Sequence, residues 1–409
     1  MIEKPADFYA QLRNNFPFYP TKKQEILLKL LSIFTFEPKK ESLFLLKGYA
    51  GTGKTTIISS FVNTLKFAGK KSVLLAPTGR AAKVISVYSK KPAFTIHKKI
   101  YFPKKQQNGG VSFVLQTNKH KNTIFIVDEA SMIPDDNQQQ QSFDATSLLD
   151  DLISYVNEGE DCKLLFIGDT AQLPPVKLAI SPALDAEILK NQYLKEVKEI
   201  ELDEVMRQHE NSGILFNATQ LRNLIQREEN PFQFHLKYPD IKRLEDGYDI
   251  EDAIMDAYNL NGVEDTTLIV RSNKRANEYN QQIRIQIRGQ ENLISAGDFI
   301  MVVKNNYFWL NETSAAGFIA NGDICEVLRI FSIKEIYGFT FAEVSIRMLD
   351  YPEMIPFDTV LILDTLTSES PSLTFEESNK LYQAVKEDYA DETSNVKQFL
   401  AIKKNPYFN

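Results

Sequence analysis

Between residues 43 and 202 short apolar runs recur with helix-period stretches between them. Residues 43–46, 73–76, 124–127, 164–167 and 198–202 read as strands, the first four almost continuously apolar. Strands of that kind are buried on both faces, as in a parallel sheet with helices packed on either side. The stretch 101–123 breaks the rhythm. Lys104-Lys105-Gln106-Gln107 leads into Asn108-Gly109-Gly110, and a weak alternation follows over 111–115, which predicts a hairpin arm projecting from the domain. The Gln138–Gln141 tract beside Asp135-Asp136 reads as a loop. A second α/β stretch begins near Asn211, with helices over 214–226, 250–260 and 274–288 and a strand over 267–271. From Asp298 strands dominate, over 299–304, 323–333, 340–349 and 359–363, the spacing of a small barrel, and a charged helix follows over 374–389. No internal repeat is detectable.

Composition changes this picture mainly through charge. The net charge of −7 hides a strong asymmetry: residues 1–127 hold 22 Lys+Arg against 5 Asp+Glu, and residues 128–409 hold 25 against 49. Between Ser42 and Val127 there is no carboxylate at all. A solvated surface mixes signs, so this block predicts a localised groove for a polyanion, nucleic acid before others. The length of 409 residues allows two or three domains. Cys162 and Cys325 lie far apart and read as buried free thiols in a reducing, cytoplasmic setting. The acidic start gives no signal peptide, no apolar run is long enough for a membrane span, and no Cys/His group has zinc spacing.

The chemistry starts at Gly48-Tyr49-Ala50-Gly51-Thr52-Gly53-Lys54-Thr55, which fits the phosphate-binding loop G-x-x-x-x-G-K-[ST] and stands between a strand and a helix, as that loop must. Gly48, Ala50, Gly51, Thr52, Gly53, Lys54, Thr55 and Thr56 are candidate ATP contacts. Backbone N–H groups cradle the phosphates there, Lys54 sits near the β- and γ-phosphates, and the Thr55 hydroxyl is a ligand for Mg²⁺. Asp128 closes the strand 124–127 and is the second candidate metal ligand. Its neighbour Glu129 is placed to orient or deprotonate the attacking water. A further strand ends in Gly168-Asp169-Thr170-Ala171-Gln172-Leu173-Pro174-Pro175-Val176, where two prolines impose a stiff loop and Gln172 can sense the γ-phosphate.

Taken together, 48–56, 128–131, 168–176 and Leu202-Asp203-Glu204-Val205-Met206-Arg207-Gln208 resemble a superfamily 1 DNA helicase of the RecD/Dda-like, 5′-to-3′ branch. Pro20-Thr21-Lys22-Lys23-Gln24 resembles the adenine-reading motif, which makes Gln24 a base contact. The segments 76–82 and 95–98 resemble two motifs that touch single-stranded DNA, implying contacts by Pro77, Thr78, Arg80, His97 and Lys98. Arg271-Ser272-Asn273 resembles a strand-binding motif of the second domain, implying Ser272 and Asn273. The resemblance implies a P-loop NTPase of α/β class with tandem RecA-like domains and a small SH3-like β-barrel insertion entered near Asn321. It places the first RecA-like domain at 1–210, the second at 211–320, the insertion at 321–400, and a return to the second domain at 401–409.

An ATP-hydrolysing monomeric motor on single-stranded DNA or a DNA fork is implied, with repair and recombination as its settings and no membrane partner. Arg207 becomes a charge-stabilising finger, against the plainer view of a surface ion pair. The 101–123 arm is either a strand-splitting pin or an ordinary hairpin. Tyr307-Phe308-Trp309 either stacks bases or packs a loop. The family's later Thr-x-His-Lys-x-Gln-Gly and Ala-x-Thr-Arg motifs do not follow before Asn409, so the second domain is expected to be incomplete, with slow hydrolysis and little unwinding. Two rivals stand beside the helicase: a nucleic-acid-binding scaffold with a vestigial nucleotide site, and a P-loop ATPase that drives a protein partner.

Overall fold

Alternate residues of each central strand pack against opposite layers, and this organises the first half of the chain. The computed structural model describes residues 1–38, 41–105, 111–134, 147–175, 178–205, 212–227, 232–306, 308–310, 314, 316, 318–368, 372–392 and 394–408. They divide into two compact units, Met1–Lys242 and Arg243–Asn409.

In chain order the first unit contains α1 (Pro5–Asn15), α2 (Lys22–Phe36), β1 (Ser42–Gly48), α3 (Lys54–Thr64), β2 (Lys71–Ala76), α4 (Gly79–Ser89), β3 (Ala93–Thr95) and α5 (Ile96–Ile100). It continues through β4 (Tyr101–Lys105), β5 (Val111–Leu115), β6 (Thr123–Val127), α6 (Leu148–Glu158), β7 (Lys163–Gly168), α7 (Ala186–Asn191), β8 (Glu196–Leu202) and α8 (Gly213–Arg227). One parallel sheet runs β3-β2-β6-β7-β1-β8. Phe44, Leu46, Ile124, Ile126, Leu165 and Ile167 face a core closed by Phe8, Leu27, Leu31 and Phe61 of α1–α3. Leu43, Leu45, Phe125, Val127, Leu164 and Phe166 face a second core closed by Ile96, Leu149, Leu152 and Leu189 of α5–α7. These two dry layers explain the absence of polar alternation in the strands. The result is the α/β P-loop NTPase fold that the motifs imply. The arm is an antiparallel β4–β5 hairpin.

Two sequence expectations differ here. The helix over 214–226, expected to open the second domain, belongs to the first unit. Asp240 fixes it by accepting from the N–H of Gly213 at 2.9 Å and the hydroxyl of Ser212 at 2.8 Å, and Asn217 ties it to His235. The strand expected over 267–271 has no partner among the described residues, and Ile269 is 95% exposed. A lone extended segment cannot form a ladder, whatever its β propensity.

The second unit contains α9 (Gly247–Asn261), α10 (Asn273–Gln282), β9 (Phe299–Met301), β10 (Ile324–Ile336), β11 (Phe339–Met348), β12 (Phe357–Ile362), α11 (Asp364–Thr367), α12 (Phe375–Glu387) and α13 (Asn395–Ile402). Its strands form an open antiparallel sheet, β12-β11-β10-β9, rather than a barrel closed among the described residues. Register shifts in β10 between Val327 and Arg329 and between Ile330 and Ser332 bend that long strand. The buried thiols Cys162 and Cys325 each lie in the core of one unit. No described helix is long and apolar enough to cross a membrane.

Candidate nucleotide site at the sheet edge

The strands β1, β2, β3, β6 and β7 are parallel, so the segments that follow them emerge along one edge of the sheet. In open α/β sheets this is the ligand edge.

After β1 the chain turns sharply. Gly51 (φ 79°) and Gly53 (φ 85°) occupy the left-handed region, and a Cβ on Gly53 would also meet Gln24 Nε2 at 2.8 Å. Gly48 passes so close to β8 that a Cβ there would lie 3.0 Å from the Leu202 carbonyl. The loop is braced from within by Thr52 Oγ1, which donates to Tyr49 O at 2.8 Å. From α2, Gln24 Nε2 donates to Thr52 O at 2.9 Å. From the end of β7, Asp169 Oδ2 accepts from the Ala50 N–H at 3.0 Å. Lys54 donates to the carbonyls of Gly48 and Tyr49. Burial pushes its ammonium below the ordinary lysine value, while Asp169, Asp128 and Glu129 pull it back up. Thr55 and Thr56 lie, half-buried, in the first turn of α3, which no side chain caps. The N-terminal amides of such a turn favour an anion.

Beside this loop, Asp128 follows β6. Burial holds its carboxyl above the usual carboxylate range, against a hydrogen bond from the Glu129 N–H at 3.0 Å and the field of Lys54. Glu129 takes a positive φ of 54° at the turn into a short 3₁₀ segment. Its carboxyl is also raised, first by burial and then by Asp128, with Lys54 and a hydrogen bond from Gln172 opposing. Gln172 additionally accepts from Ser131 Oγ at 3.2 Å, so it joins the loop after β7 to the turn after β6. Lys54, Asp128, Glu129 and Gln172 thus form one electrostatically coupled group. Asp128 and the Thr55 hydroxyl supply hard oxygens suited to Mg²⁺, and the second Asp128 oxygen takes none of the described hydrogen bonds. Among the described residues no cluster of three or more His, Cys, Asp or Glu offers an all-protein metal site.

Further along the same edge, Pro77 and Thr78 follow β2. The Thr78 hydroxyl caps α4 by accepting from the Ala81 N–H at 3.2 Å, and Arg80 is exposed on the first turn. Thr95 caps α5 in the same way, presenting His97 and Lys98 at the surface, with the His97 ring against Tyr101. In the second unit the Ser272 hydroxyl caps α10 by accepting from the Arg275 N–H at 3.3 Å, and Asn273 is exposed beside it. Arg207, Tyr307, Val176, the 138–141 tract and the arm's tip at 108–110 lie outside the described residues.

Three features escape the sequence reading. Gln24 is 5% exposed and its amide has internal partners, since Oε1 also accepts from the Thr21 N–H at 3.0 Å. Asp169 braces the loop, and its signal, a carboxylate directly after a core strand, equals that of Asp128. Arg222 of α8 lies over the Tyr49 ring, 4.5 Å from its centroid, a contact no local pattern announces. The basic block is also partly neutralised from later in the chain, by Lys47–Glu199, Lys70–Asp161 and Lys121–Glu160.

The fold and this edge define a nucleoside-triphosphate-type P-loop domain, and comparison with known proteins agrees. The AAA domain family matches residues 35–229. The ATP-dependent DNA helicase dda of Enterobacteria phage T4 is 30% identical over 181 residues, 44% of this chain and 37% of that protein. The ATP-dependent RecD2 DNA helicase of Deinococcus radiodurans is 30% identical over 135 residues, 33% of this chain and 16% of that one. An uncharacterized protein of Methanocaldococcus jannaschii, MJ1519, is 34% identical over 148 residues, 34% of this chain and 12% of its own length. The matched segments therefore span well under half of each relative. Among solved structures, a Pif1 helicase from Bacteroides in complex with ADP-AlF3 and ssDNA aligns over 83% of this chain and 74% of its own, with 15% identity and a TM-score of 0.41. Over the matched segments the chain is similar to the ATP-dependent DNA helicases dda and RecD2.

Proposed function

We propose that the chain is an ATP-hydrolysing motor that moves on single-stranded DNA in the 5′-to-3′ direction. One observation carries this reading. The segments after β1, β6 and β7, with triphosphate chemistry, and those after β2 and β3, with polyanion-binding candidates, share a single sheet edge. In this reading Lys54 and the first turn of α3 hold the triphosphate. Thr55 and Asp128 would hold Mg²⁺, which would supply charge neutralisation of the triphosphate. Glu129, with a carboxyl made more basic by burial, takes the proton of the attacking water, and Gln172 fixes its orientation. Arg207 adds transition-state charge stabilisation, worth about 10³–10⁵ in rate in related phosphoryl-transfer enzymes. Pro77, Thr78, Arg80, His97 and Lys98 contact the strand from the first unit, and Ser272 and Asn273 from the second.

The test is ATP hydrolysis with and without single-stranded DNA, with Lys54→Ala and Glu129→Gln as controls. The motor reading requires stimulation by the strand that both variants abolish, and forks with 5′ or 3′ tails then report direction. Hydrolysis indifferent to DNA would overturn it.

A further inference from the structure

At the root of the hairpin arm, on the opposite side of the sheet from the phosphate loop, lies a cavity of about 310 Å³. Lys99, Gln116, Thr117, Lys119, His120 and Tyr155 line it. It sits beside the N-terminal ends of β2 and β6, where Lys71 pairs with Thr123. Gln116 joins it to the arm, because its backbone N–H donates to Ile100 O at 2.7 Å and its side-chain amide to Tyr101 O at 2.6 Å. None of the residues named for the nucleotide or strand sites takes part.

Its lining contains three basic side chains and no carboxylate. The nearby acids are engaged elsewhere. Asp151 accepts from Tyr101 OH at 2.6 Å, Glu158 accepts from the Asn118 N–H at 2.7 Å, Glu160 pairs with Lys121, and Asp161 pairs with Lys70 at 2.8 Å. Among the described residues no carboxylate lies within ion-pair distance of Lys99, Lys119 or His120. The Lys99 ammonium lies over the Phe94 ring, 5.5 Å from the centroid, and the His120 ring stands edge-on to Phe125 at 5.3 Å. Burial lowers both Lys99 and His120, and Lys99 and Lys71 lower His120 further. The two lysine ammonium groups, gathered in a concave site without counter-charge, are stabilised by an incoming anion, and the His120 imidazole can donate to it. The amide of Gln116 and the hydroxyl of Thr117 add neutral hydrogen-bond donors of the kind phosphate oxygens accept.

We propose that this cavity is a phosphate-binding site that takes a phosphodiester of a nucleic-acid strand running past the root of the arm. A strand fits better than a small free anion because Gln116 ties the lining to the root of the arm at Ile100 and Tyr101, and Lys104 and Lys105 follow a few residues on in sequence. The proposal rests on the DNA reading above but concerns a second, separate contact.

The experiment compares the full chain with its Lys99→Gln/Lys119→Gln double variant. It measures binding to forked DNA and to single-stranded DNA across a salt series. Loss of two phosphate contacts should lower the slope of log K against log salt on the fork by about 1.4–1.8 and weaken binding about tenfold near 0.15 M salt. The Lys99→Arg/Lys119→Arg variant should restore both, and DNA-independent ATP hydrolysis should stay unchanged in each variant. An unchanged slope on every DNA overturns the proposal. So does a loss that the arginine variant fails to restore. A titration with inorganic phosphate separates the sources: phosphate binding lost in the glutamine variant, with the DNA slopes unchanged, assigns the cavity to a free anion and overturns the strand. The two readings fail separately. Absence of DNA-stimulated hydrolysis with the slope change intact removes the motor and leaves the contact.

Discussion

Replacing Gln24 by glutamate separates two roles for one side chain. In the structure Oε1 completes the capping box of α2 by accepting from the Thr21 N–H, and Nε2 donates to Thr52 O at 2.9 Å in a position only 5% exposed. Glutamate keeps an oxygen for Thr21 but sets a second acceptor against the Thr52 carbonyl. Losing that bond leaves a buried carbonyl without a donor, which costs about 1–3 kcal/mol. This lowers the melting temperature of the first unit by roughly 2–12 °C, at about 2–4 °C per kcal/mol for a domain of this size. Thr52 and Gly53 belong to the phosphate loop, so a loosened brace costs preorganisation for any triphosphate, and each 1.4 kcal/mol is about tenfold in affinity. Differential scanning fluorimetry and titrations with ATP and GTP read both quantities. Gln24→Glu is expected to melt earlier and to lose affinity for ATP and GTP alike. An unchanged melting temperature with a loss confined to ATP would refute the bracing argument and return Gln24 to the base-reading role that the sequence resemblance implies.

Asp128→Asn and Glu129→Gln should stop hydrolysis yet raise thermal stability at neutral pH. Both carboxyls are raised by burial, so the folded chain binds their protons more tightly than the unfolded chain does. Stability is therefore lost as pH climbs from about 4 through the raised values, and the variants should flatten that decline in a pH series of melting curves. Asp169→Ala strands the N–H groups of Ala50 and Ala171, and a cost of about 2–4 kcal/mol is expected as a lower melting temperature for the first unit. In the second unit Glu343 is held down to about 2 by Lys334, Tyr407 and Ser332. The stabilisation from this depressed carboxyl is present above its ordinary value and lost as pH falls toward about 2, so Glu343→Gln should make that unit's melting temperature less steep in pH between those limits.

What the sequence disclosed follows the range of the forces involved. Continuous apolar runs such as 43–46 and 164–167 reveal their strands because burial on two faces is written into consecutive residues. The glycines of the phosphate loop are legible because left-handed backbone at Gly51 and Gly53 is a local demand. Pairing is not local. The 267–271 segment carries the same β propensity as its neighbours but has no described partner, and α8 joined the first unit through Asp240, a residue beyond its own helix. Side-chain partnership is equally remote: nothing near Gln24 announces that its amide ends on Thr52, and nothing near Tyr49 announces Arg222.

The charge block shows the same limit from the other side. Its excess of cations over 42–127 is an excess along the chain, whereas a polyanion meets an excess in space. Lys47, Lys70 and Lys121 lose theirs to acids between residues 160 and 199. The positions that keep their charge uncompensated around one concavity, Lys99 and Lys119, sit no differently in the sequence from those that do not. Only folding sorts them, and the salt dependence of DNA binding is the measurement sensitive to that sorting.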